Sequence, residues 1–236
     1  METQEIITST MFDFEDGNGP VPAHRHPNGG GWVADTAHVD ESAYVGPEAK
    51  VFGESKVYGN AKVLDKATIW GNAEVFGNAL VYGKADVFGD ASVYGESWVY
   101  GEAQVYDKAQ VYDKAQVYGE ARVYGESWVY GEAQVYGKAQ VYDKSQVYGE
   151  AQVYGEARVY GEAQVYDKAQ VYGEARVYGE ARVYDMSKVY GNVIVSEYTK
   201  IHDYAEVFGD AKLRGDTVVC GWTVLDVVVC PEWEHN

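Results

Sequence analysis

The sequence predicts an all-β fold, a parallel β-helix solenoid of about 11 triangular coils that each contain 18 residues. Three observations support this prediction. An aliphatic residue recurs at every sixth position from Val33 to Leu225, with no insertion. Ala, Ser, Thr or Val stands four positions after each of these residues. A period of six fits no helix, and fixed self-similarity of this kind is typical of repeat architectures.

The hexad AQVYGE at residues 115–120 shows how each repeat is expected to fold. Side chains alternate along a strand, so Ala115 and Val117 share one face and point inward. The glutamine between them and Tyr118 after them point outward. The Gly-Glu pair then forms a corner, because glycine adopts positive φ without steric cost. Aspartate replaces this glycine in several hexads and tolerates positive φ better than most residues.

Three such strand-and-corner units close one coil, and residues 33–225 hold 33 hexads, which make 11 coils. Parallel strands lie about 4.8 Å apart, so the rod is expected to be about 50 Å long. Of the 33 positions after the aliphatic residue, 19 are Tyr, four are Phe and one is Trp. In-register stacking would align them as columns, which we interpret as structural, with glycan or partner binding as the alternative. One predicted surface ladder consists of Tyr100, Tyr118, Tyr136, Tyr154 and Tyr172.

Polar residues are expected to form columns beside the aromatic ones. A column of stacked amides is predicted to contain Gln116, Gln134, Gln152 and Gln170. One corner column is predicted to contain Lys108, Glu126, Lys144 and Glu162. Alternating charges avoid the repulsion that like charges on adjacent strands would cause. We therefore interpret the corner charges as devices for solubility and register and predict no catalytic carboxylate among them.

The composition excludes several classes of partner. There are 19 Lys and Arg against 37 Asp and Glu, a net charge of −18. This balance argues against direct binding of nucleic acid or of anionic membranes. No apolar run reaches membrane-spanning length, and Met1–Thr10 lacks the features of a signal peptide. These observations predict a cytoplasmic protein whose Cys220 and Cys230 are free thiols.

The two ends are predicted to be caps on a solenoid that spans residues 33–228. Residues 1–32 do not repeat and hold three of the five prolines, so they are expected to form an irregular N-terminal arm. Residues 229–236 are expected to form a C-terminal cap. The weak candidates for binding are His24, His26, Trp32 and His38. No third ligand has a diagnostic spacing from the two arm histidines, so no metal site is predicted.

The hexads VYGNA and VFGES resemble those of the hexapeptide-repeat proteins. The usual pattern in that family is aliphatic, glycine or small acidic, two free positions, small, and one free position. This chain departs from it by placing Tyr after the aliphatic residue and Gly one position later. The resemblance implies a left-handed winding, which the spacing alone does not supply because parallel crossovers are ordinarily right-handed. Bacterial and phage proteins with VYGNA-type hexads are similar and are often labelled transferases by pattern.

The family resemblance also implies a possible enzyme, since hexapeptide-repeat proteins include CoA-dependent acyltransferases. Those enzymes have a catalytic histidine between subunits and a loop extruded from one coil. Here the hexad phase never slips, and His38 and His202 both occupy outward positions. We therefore predict no catalytic residue and no cofactor.

Three hypotheses of function remain open. The first is a non-catalytic structural or protein-interaction rod, with a protein partner or with self-association as a dimer or trimer. The second is an acidic decoy or inhibitor that imitates nucleic acid, since the chain carries a charge of −18 on a narrow rod. The third is an acyltransferase with an unusual site around His24, His26 or His38.

Overall fold

The computed structural model describes residues 10–226 as an all-β parallel solenoid. This part of the chain contains no helix, and hence no helix able to cross a membrane. From Trp32 onward, the strands of successive coils pair in parallel with those 18 residues further along the chain, as Val117 does with Val135. The predicted architecture of 11 coils is confirmed, while the handedness of the winding stays a prediction.

The strands form three sheets, one along each side of the coil. The first sheet contains β1 Thr10–Phe12, β2 Val21–Arg25, β3 Trp32–Ala34, β6 Lys50–Val51, β9 Thr68–Ile69, β12 Asp86–Val87, β15 Gln104–Val105, β18 Arg122–Val123, β21 Gln140–Val141, β24 Arg158–Val159, β27 Arg176–Val177, β30 Ile194–Val195 and β33 Lys212–Leu213. The second contains β4 His38–Val39, β7 Lys56–Val57, β10 Glu74–Val75, β13 Ser92–Val93, β16 Gln110–Val111, β19 Trp128–Val129, β22 Gln146–Val147, β25 Gln164–Val165, β28 Arg182–Val183, β31 Lys200–Ile201 and β34 Val218–Val219. The third contains β5 Tyr44–Val45, β8 Lys62–Val63, β11 Leu80–Val81, β14 Trp98–Val99, β17 Gln116–Val117, β20 Gln134–Val135, β23 Gln152–Val153, β26 Gln170–Val171, β29 Lys188–Val189, β32 Glu206–Val207 and β35 Val224–Leu225.

The core is a narrow apolar prism between the three sheets. The aliphatic and small positions of the hexads face it, and Ala115 and Val117 are fully buried. Serine replaces alanine at several small positions and remains buried there. At Ser55, Ser127, Ser145 and Ser187 the hydroxyl donates to the backbone, as when Ser145 Oγ donates to the carbonyl oxygen of Tyr142 at 2.8 Å. Ser97 is different, because its Oγ is buried and has no hydrogen-bond partner among the described residues. The core thus accepts most of these serines because their polar atom finds a partner.

Positive φ angles define the corners, as the sequence predicts. Gly119 has φ +73°, and a Cβ atom there would lie 3.0 Å from the backbone nitrogen of Gly137. Where aspartate takes the position, its side chain bonds to the next coil. Asp107, with φ +59°, accepts a hydrogen bond from the Gly125 N–H at 3.3 Å. Glu120 N–H also donates to the Gly137 carbonyl at 2.7 Å, so hydrogen bonds join the corners as well as the strands.

The N-terminal segment is more regular than the irregular arm that the sequence predicts. Strand β1 pairs antiparallel with β2, and β2 pairs antiparallel with β3. The turn after β2 bonds to the edge of β5, since Gly31 N–H donates to the Val45 carbonyl and Val45 N–H donates to the Asn28 carbonyl. The open edge of a first coil exposes unpaired backbone groups, and pairing with them gives this segment its β structure. Cys230 and the predicted C-terminal cap lie outside the described residues.

Candidate functional site

The most extensive surface feature is a set of three aromatic columns, one beside each sheet. Ladder 1 follows the first sheet and consists of Phe14, Phe52, Trp70, Phe88, Tyr106, Tyr124, Tyr142, Tyr160 and Tyr178. Ladder 2 follows the second sheet and consists of Tyr58, Phe76, Tyr94, Tyr112, Tyr130, Tyr148, Tyr166, Tyr184 and His202. Ladder 3 follows the third sheet and consists of Tyr82, Tyr100, Tyr118, Tyr136, Tyr154, Tyr172, Tyr190 and Phe208.

The predicted tyrosine ladder is confirmed as part of ladder 3. Consecutive rings from Tyr100 to Tyr172 have centroids 4.7–4.8 Å apart and planes within 4° of parallel. Because the ring spacing equals the spacing of the strands, the backbone register alone produces the stack. Each ring pair of this kind contributes about 0.2–1 kcal/mol. The ladder therefore stabilises the register and also presents one repeated surface along the rod.

Ladder 1 begins with a ring from outside the repeat. Its first repeat position is Ala34, which has no ring to stack on Phe52. Phe14 takes that place, with its ring centroid 4.7 Å from that of Phe52. Phe12 contacts the edge of Phe14 at 4.9 Å and stacks on Trp32 at 4.1 Å. The N-terminal hairpin thus completes an aromatic column that the hexads leave unfinished.

The ladder hydroxyls stay neutral far above physiological pH. Burial raises the pKa of Tyr112, Tyr124, Tyr136 and Tyr166 to about 12, and neighbouring ladder tyrosines add to the effect because adjacent phenolates would repel. The hydrogen bond from Tyr190 Oη to Glu206 Oε1, 2.7 Å long, raises the pKa of Tyr190 to about 12. The ladders therefore offer columns of uncharged O–H donors beside flat rings.

Glutamines stack beside the tyrosines of ladder 3, as predicted. The column pairs Gln116 with Gln134, Gln134 with Gln152, and Gln152 with Gln170. Tyr118 Oη lies 3.5 Å from Gln134 Oε1, so ring and amide columns are joined. A shallow groove of about 300 Å³ runs between the amides and the neighbouring corner. It is lined by Lys114, Gln116, Glu132, Gln134, Glu150 and Gln152.

Two tryptophans interrupt the polar columns and are exposed. Trp98 lies in β14 of the third sheet, and its exposed fraction is 44%. Trp128 lies in β19 of the second sheet, with an exposed fraction of 41%. Large half-exposed indoles of this kind are typical of protein-binding surfaces.

The corner charges form ion pairs between adjacent coils. Lys108 pairs with Glu126 at 3.4 Å, as the predicted alternation requires, and Lys114 pairs with Glu132 at 3.3 Å. All four side chains are more than half exposed. Exposed pairs contribute about 0–1 kcal/mol each. The lysines of these pairs nevertheless interrupt the uniform negative potential that imitation of nucleic acid would require.

The four weak candidates of the N-terminal region each have a local structural partner. His24 Nδ1 lies 2.9 Å from Asp35 Oδ1. His26 is buried, and its Nδ1 lies 3.1 Å from the carbonyl oxygen of Asn28. The Arg25 guanidinium lies 4.1 Å above the Trp32 ring. His38 is exposed, with Nε2 3.3 Å from Asp40 Oδ1. Local contacts therefore account for each of these positions, and their binding role stays a prediction.

One cluster near the last coils is not anticipated from the sequence. His202 Nδ1 lies 3.4 Å from Asp203 Oδ2 and 4.0 Å from Asp185 Oδ2. One ligand atom from each of the three residues lies within 4.8 Å of the other two. The cluster could have been predicted from the 18-residue register. This register places His202 beside Tyr184 and therefore next to Asp185. Sequence reasoning considered His202 alone and missed this neighbour.

The fold and its repeated surface define a protein of the β-solenoid repeat class. A family model described as YdcK beta solenoid repeat matches residues 115–131, 151–167 and 169–185. Each matched segment starts at the small residue before a strand of the third sheet and covers nearly one coil. The chain is therefore similar to that repeat family in its uniform middle. A search of curated proteins finds no match.

Proposed function

We propose that this protein is a non-catalytic structural rod that binds a protein through its third face. The third face is defined here as ladder 3 together with the outward strand residues Leu80, Trp98, Gln116, Gln134, Gln152 and Gln170. One observation carries the proposal. The aromatic ladder runs beside an uninterrupted column of uncharged outward residues for six coils.

The first face differs from the third in charge, because the outward strand residues of the first sheet include Arg122, Arg158 and Arg176. The outward residues of the second sheet are uncharged for five coils, from Ser92 to Gln164, so the uncharged run of the third face is one coil longer. The cores of protein interfaces are depleted in charge and enriched in tyrosine and tryptophan. Trp98 and ladder 3 meet that description. The Lys–Glu pairs at the bordering corners would then form the polar rim.

The net charge of the chain narrows the class of protein that it would bind. The chain carries a net charge of −18, so a basic or neutral protein is favoured over an acidic one. A second copy of the chain is the other candidate, because the ladder offers the same rings at every coil. Both are protein partners, and both require the third face to be accessible.

Paired arginine substitutions test the face directly. Gln134→Arg with Gln152→Arg puts two charges on the third face. Gln146→Arg with Gln164→Arg is the matched control on the second face. Arg158 and Arg176 already occupy adjacent coils, so the fold accepts such pairs. We expect the third-face variant to lose at least about 1.4 kcal/mol, or tenfold, of affinity in self-association or partner binding. Sedimentation velocity measures self-association, and quantitative affinity capture from the source cells measures partner binding.

The outcomes are distinct. Retention of affinity in the third-face variant, together with loss in the control, would move the site to the second face and refute the proposal. Equal behaviour of both variants and the wild type would also refute it. A partner that is a DNA-binding protein, released from both variants and the wild type by moderate salt, would instead support the decoy hypothesis.

We further infer that the winding is left-handed and that the chain is a hexapeptide-repeat protein. The aliphatic and small positions at a period of six support membership of that family. The left-handed winding rests on the resemblance to the family alone. An experimental electron-density map at side-chain resolution tests it. A right-handed course of the chain would refute it.

A further inference from the structure

The corner column near the C-terminal coils differs from every other corner column of the sequence. Aspartate occupies the positive-φ position in three consecutive coils, at Asp167, Asp185 and Asp203. Elsewhere a glycine follows each corner aspartate one coil later, as Gly125 follows Asp107. Stacked carboxylates at the spacing of adjacent strands repel one another. A cation between the carboxylates would remove this repulsion.

A corner lysine stands beside the first of these aspartates alone, because Lys168 follows Asp167 and pairs with Glu150 at 3.6 Å. The residues that follow Asp185 and Asp203 are Met186 and Tyr204, whereas Glu or Lys stands there in most middle coils. The ion pairs that the structure gives these two carboxylates both involve His202. The imidazole of His202 contributes a metal-ligating nitrogen beside both carboxylates.

Backbone groups hold both carboxylates in place. Asp203 N–H donates to Asp185 Oδ2 at 3.1 Å, and Gly221 N–H donates to Asp203 Oδ2 at 2.9 Å. An ionised carboxylate oxygen can accept such a bond and still bind a metal with another lone pair. Outer contacts of this kind orient ligands and are typical of metal sites.

Stacking holds the imidazole in place. His202 occupies the rung of ladder 2 next to Tyr184, with ring centroids 4.9 Å apart and planes 11° from parallel. Its Nδ1 edge therefore lies beside the corner. All three side chains are half-buried, so an ion from solvent can reach them.

The distances fit a small divalent transition metal. Zinc bonds of 2.0–2.2 Å in a tetrahedral site put ligand atoms about 3.3–3.6 Å apart. The separation of His202 Nδ1 from Asp203 Oδ2 is 3.4 Å, and that from Asp185 Oδ2 is 4.0 Å. The two carboxylate oxygens lie within 4.8 Å of each other, so side-chain movements of about 1 Å bring all three ligand atoms to tetrahedral spacing. One imidazole and two carboxylates leave the fourth position for water, as in other three-ligand zinc sites.

We propose that Asp185, His202 and Asp203 form a zinc-class metal site that clamps the last coils of the rod. The ligands come from two adjacent coils, so a bound ion links one coil to the next. Each repeat of a solenoid contacts only its neighbours, so a link between two coils strengthens the interface between them. A metal that binds the folded state and not the unfolded one stabilises this end.

Titration of the full chain with zinc chloride at pH 7.5, followed by calorimetry, tests the site. The key variant is His202→Tyr, because tyrosine is the common rung residue of the ladders and should preserve the stack. Asp185→Asn is the second variant, since asparagine tolerates positive φ and still accepts the Asp203 N–H. We expect each variant to weaken zinc binding at least about tenfold, which corresponds to 1.4 kcal/mol. Circular dichroism checks that both remain folded.

The controls separate this site from other zinc binding. Both variants keep Cys220 and Cys230, so zinc held by thiols alone would be unchanged in them. His38→Asn removes the exposed His38–Asp40 pair and should leave the affinity unaltered. Hydrogen exchange of the amides in β31 and β34 should slow with zinc in the wild type and not in His202→Tyr. Equal zinc affinity in the wild type and His202→Tyr, or no binding by the wild type at 100-fold excess of zinc, would overturn the proposal.

Discussion

The uniform middle of the rod and its two ends follow different rules. Between Val93 and Arg182 nearly every hexad is the same, and every ladder ring stacks on an equivalent ring 4.7–4.9 Å away. At the ends the hexads depart from the pattern. Phe14 replaces a missing rung at one end, and at the other His202 takes a tyrosine position.

This difference indicates that the middle and the ends of the chain have different roles. The middle sets length and stiffness, since each additional coil repeats the same contacts with its neighbours. The ends carry the residues with individual chemistry, because an interruption there costs fewer neighbouring contacts than one in the middle. Changes in the middle should therefore have larger effects on folding, and changes at the ends should act locally.

The largest effect should come from breaking the hexad phase in the middle. Deletion of residues 133–150 removes one coil and joins Glu132 to Ala151 in phase. Deletion of residues 133–141 instead puts Tyr142 at a small inward position and Lys144 at an aliphatic one. We expect the first variant to fold as a shorter rod and the second to lose its cooperative unfolding transition. Circular dichroism and small-angle scattering measure both, and a stable rod from the shorter deletion would refute the coil.

The next effect concerns packing in the core. Val135 is fully buried, whereas Val39 in the first coil is partly buried. Truncation of Val135 to alanine should cost about 1.5–3 kcal/mol, because it removes two buried methyl groups and leaves a cavity. Val39→Ala should cost less than about 1 kcal/mol for the same chemical change. Denaturant unfolding measures both, and equal losses would show that the ends pack as tightly as the middle.

Most of the middle was predictable from the sequence because its structure follows from one short local pattern. Ala115 and Val117 are buried and Gly119 forms a corner for reasons contained within a single hexad. The hairpin of β1 and β2 was not predicted, since it depends on the unpaired edge of β3 and has no period. The cluster at His202 was missed because its members meet across coils. Their contact depends on the register and on side-chain rotamers.

Glycine corners offer a comparison at nearly constant backbone conformation. Gly119 and Gly221 have φ +73° and +71°, but a Cβ on Gly119 would clash with Gly137, whereas one on Gly221 meets nothing within 4 Å. Alanine at Gly221 should cost about 1 kcal/mol from the left-handed conformation alone. Alanine at Gly119 should cost about 1–2 kcal/mol more, because the next coil must move. Thermal unfolding of the two variants measures the difference. Equal costs would mean that the next coil moves to accommodate the added Cβ atom at little cost in free energy.

Alkaline titration probes the ladders of the middle coils. The pKa of Tyr112, Tyr124, Tyr136 and Tyr166 is raised from 10.0 to about 12. A raised pKa of a phenol in the folded state means that its stabilising contribution is complete below pH 10. That contribution is lost as the pH rises through about 12. We expect stability to fall over this interval, with phenolate absorbance rising as unfolding proceeds. Complete ionisation near pH 10 in the folded protein would contradict the ladder burial.

The smallest effect should come from the corner ion pairs. Lys114 Nζ lies 3.3 Å from Glu132 in the middle, and Lys56 Nζ lies 2.9 Å from Glu74 nearer the N-terminal end. Replacement of either lysine by glutamine should change the free energy of unfolding by less than about 0.5 kcal/mol, because solvent screens exposed pairs. The difference between the free energies of unfolding at low and high salt measures the contribution of the ion pair. A loss above about 1 kcal/mol for Lys114→Gln alone would show that corner charges, and not the ladders, hold the register of the middle coils.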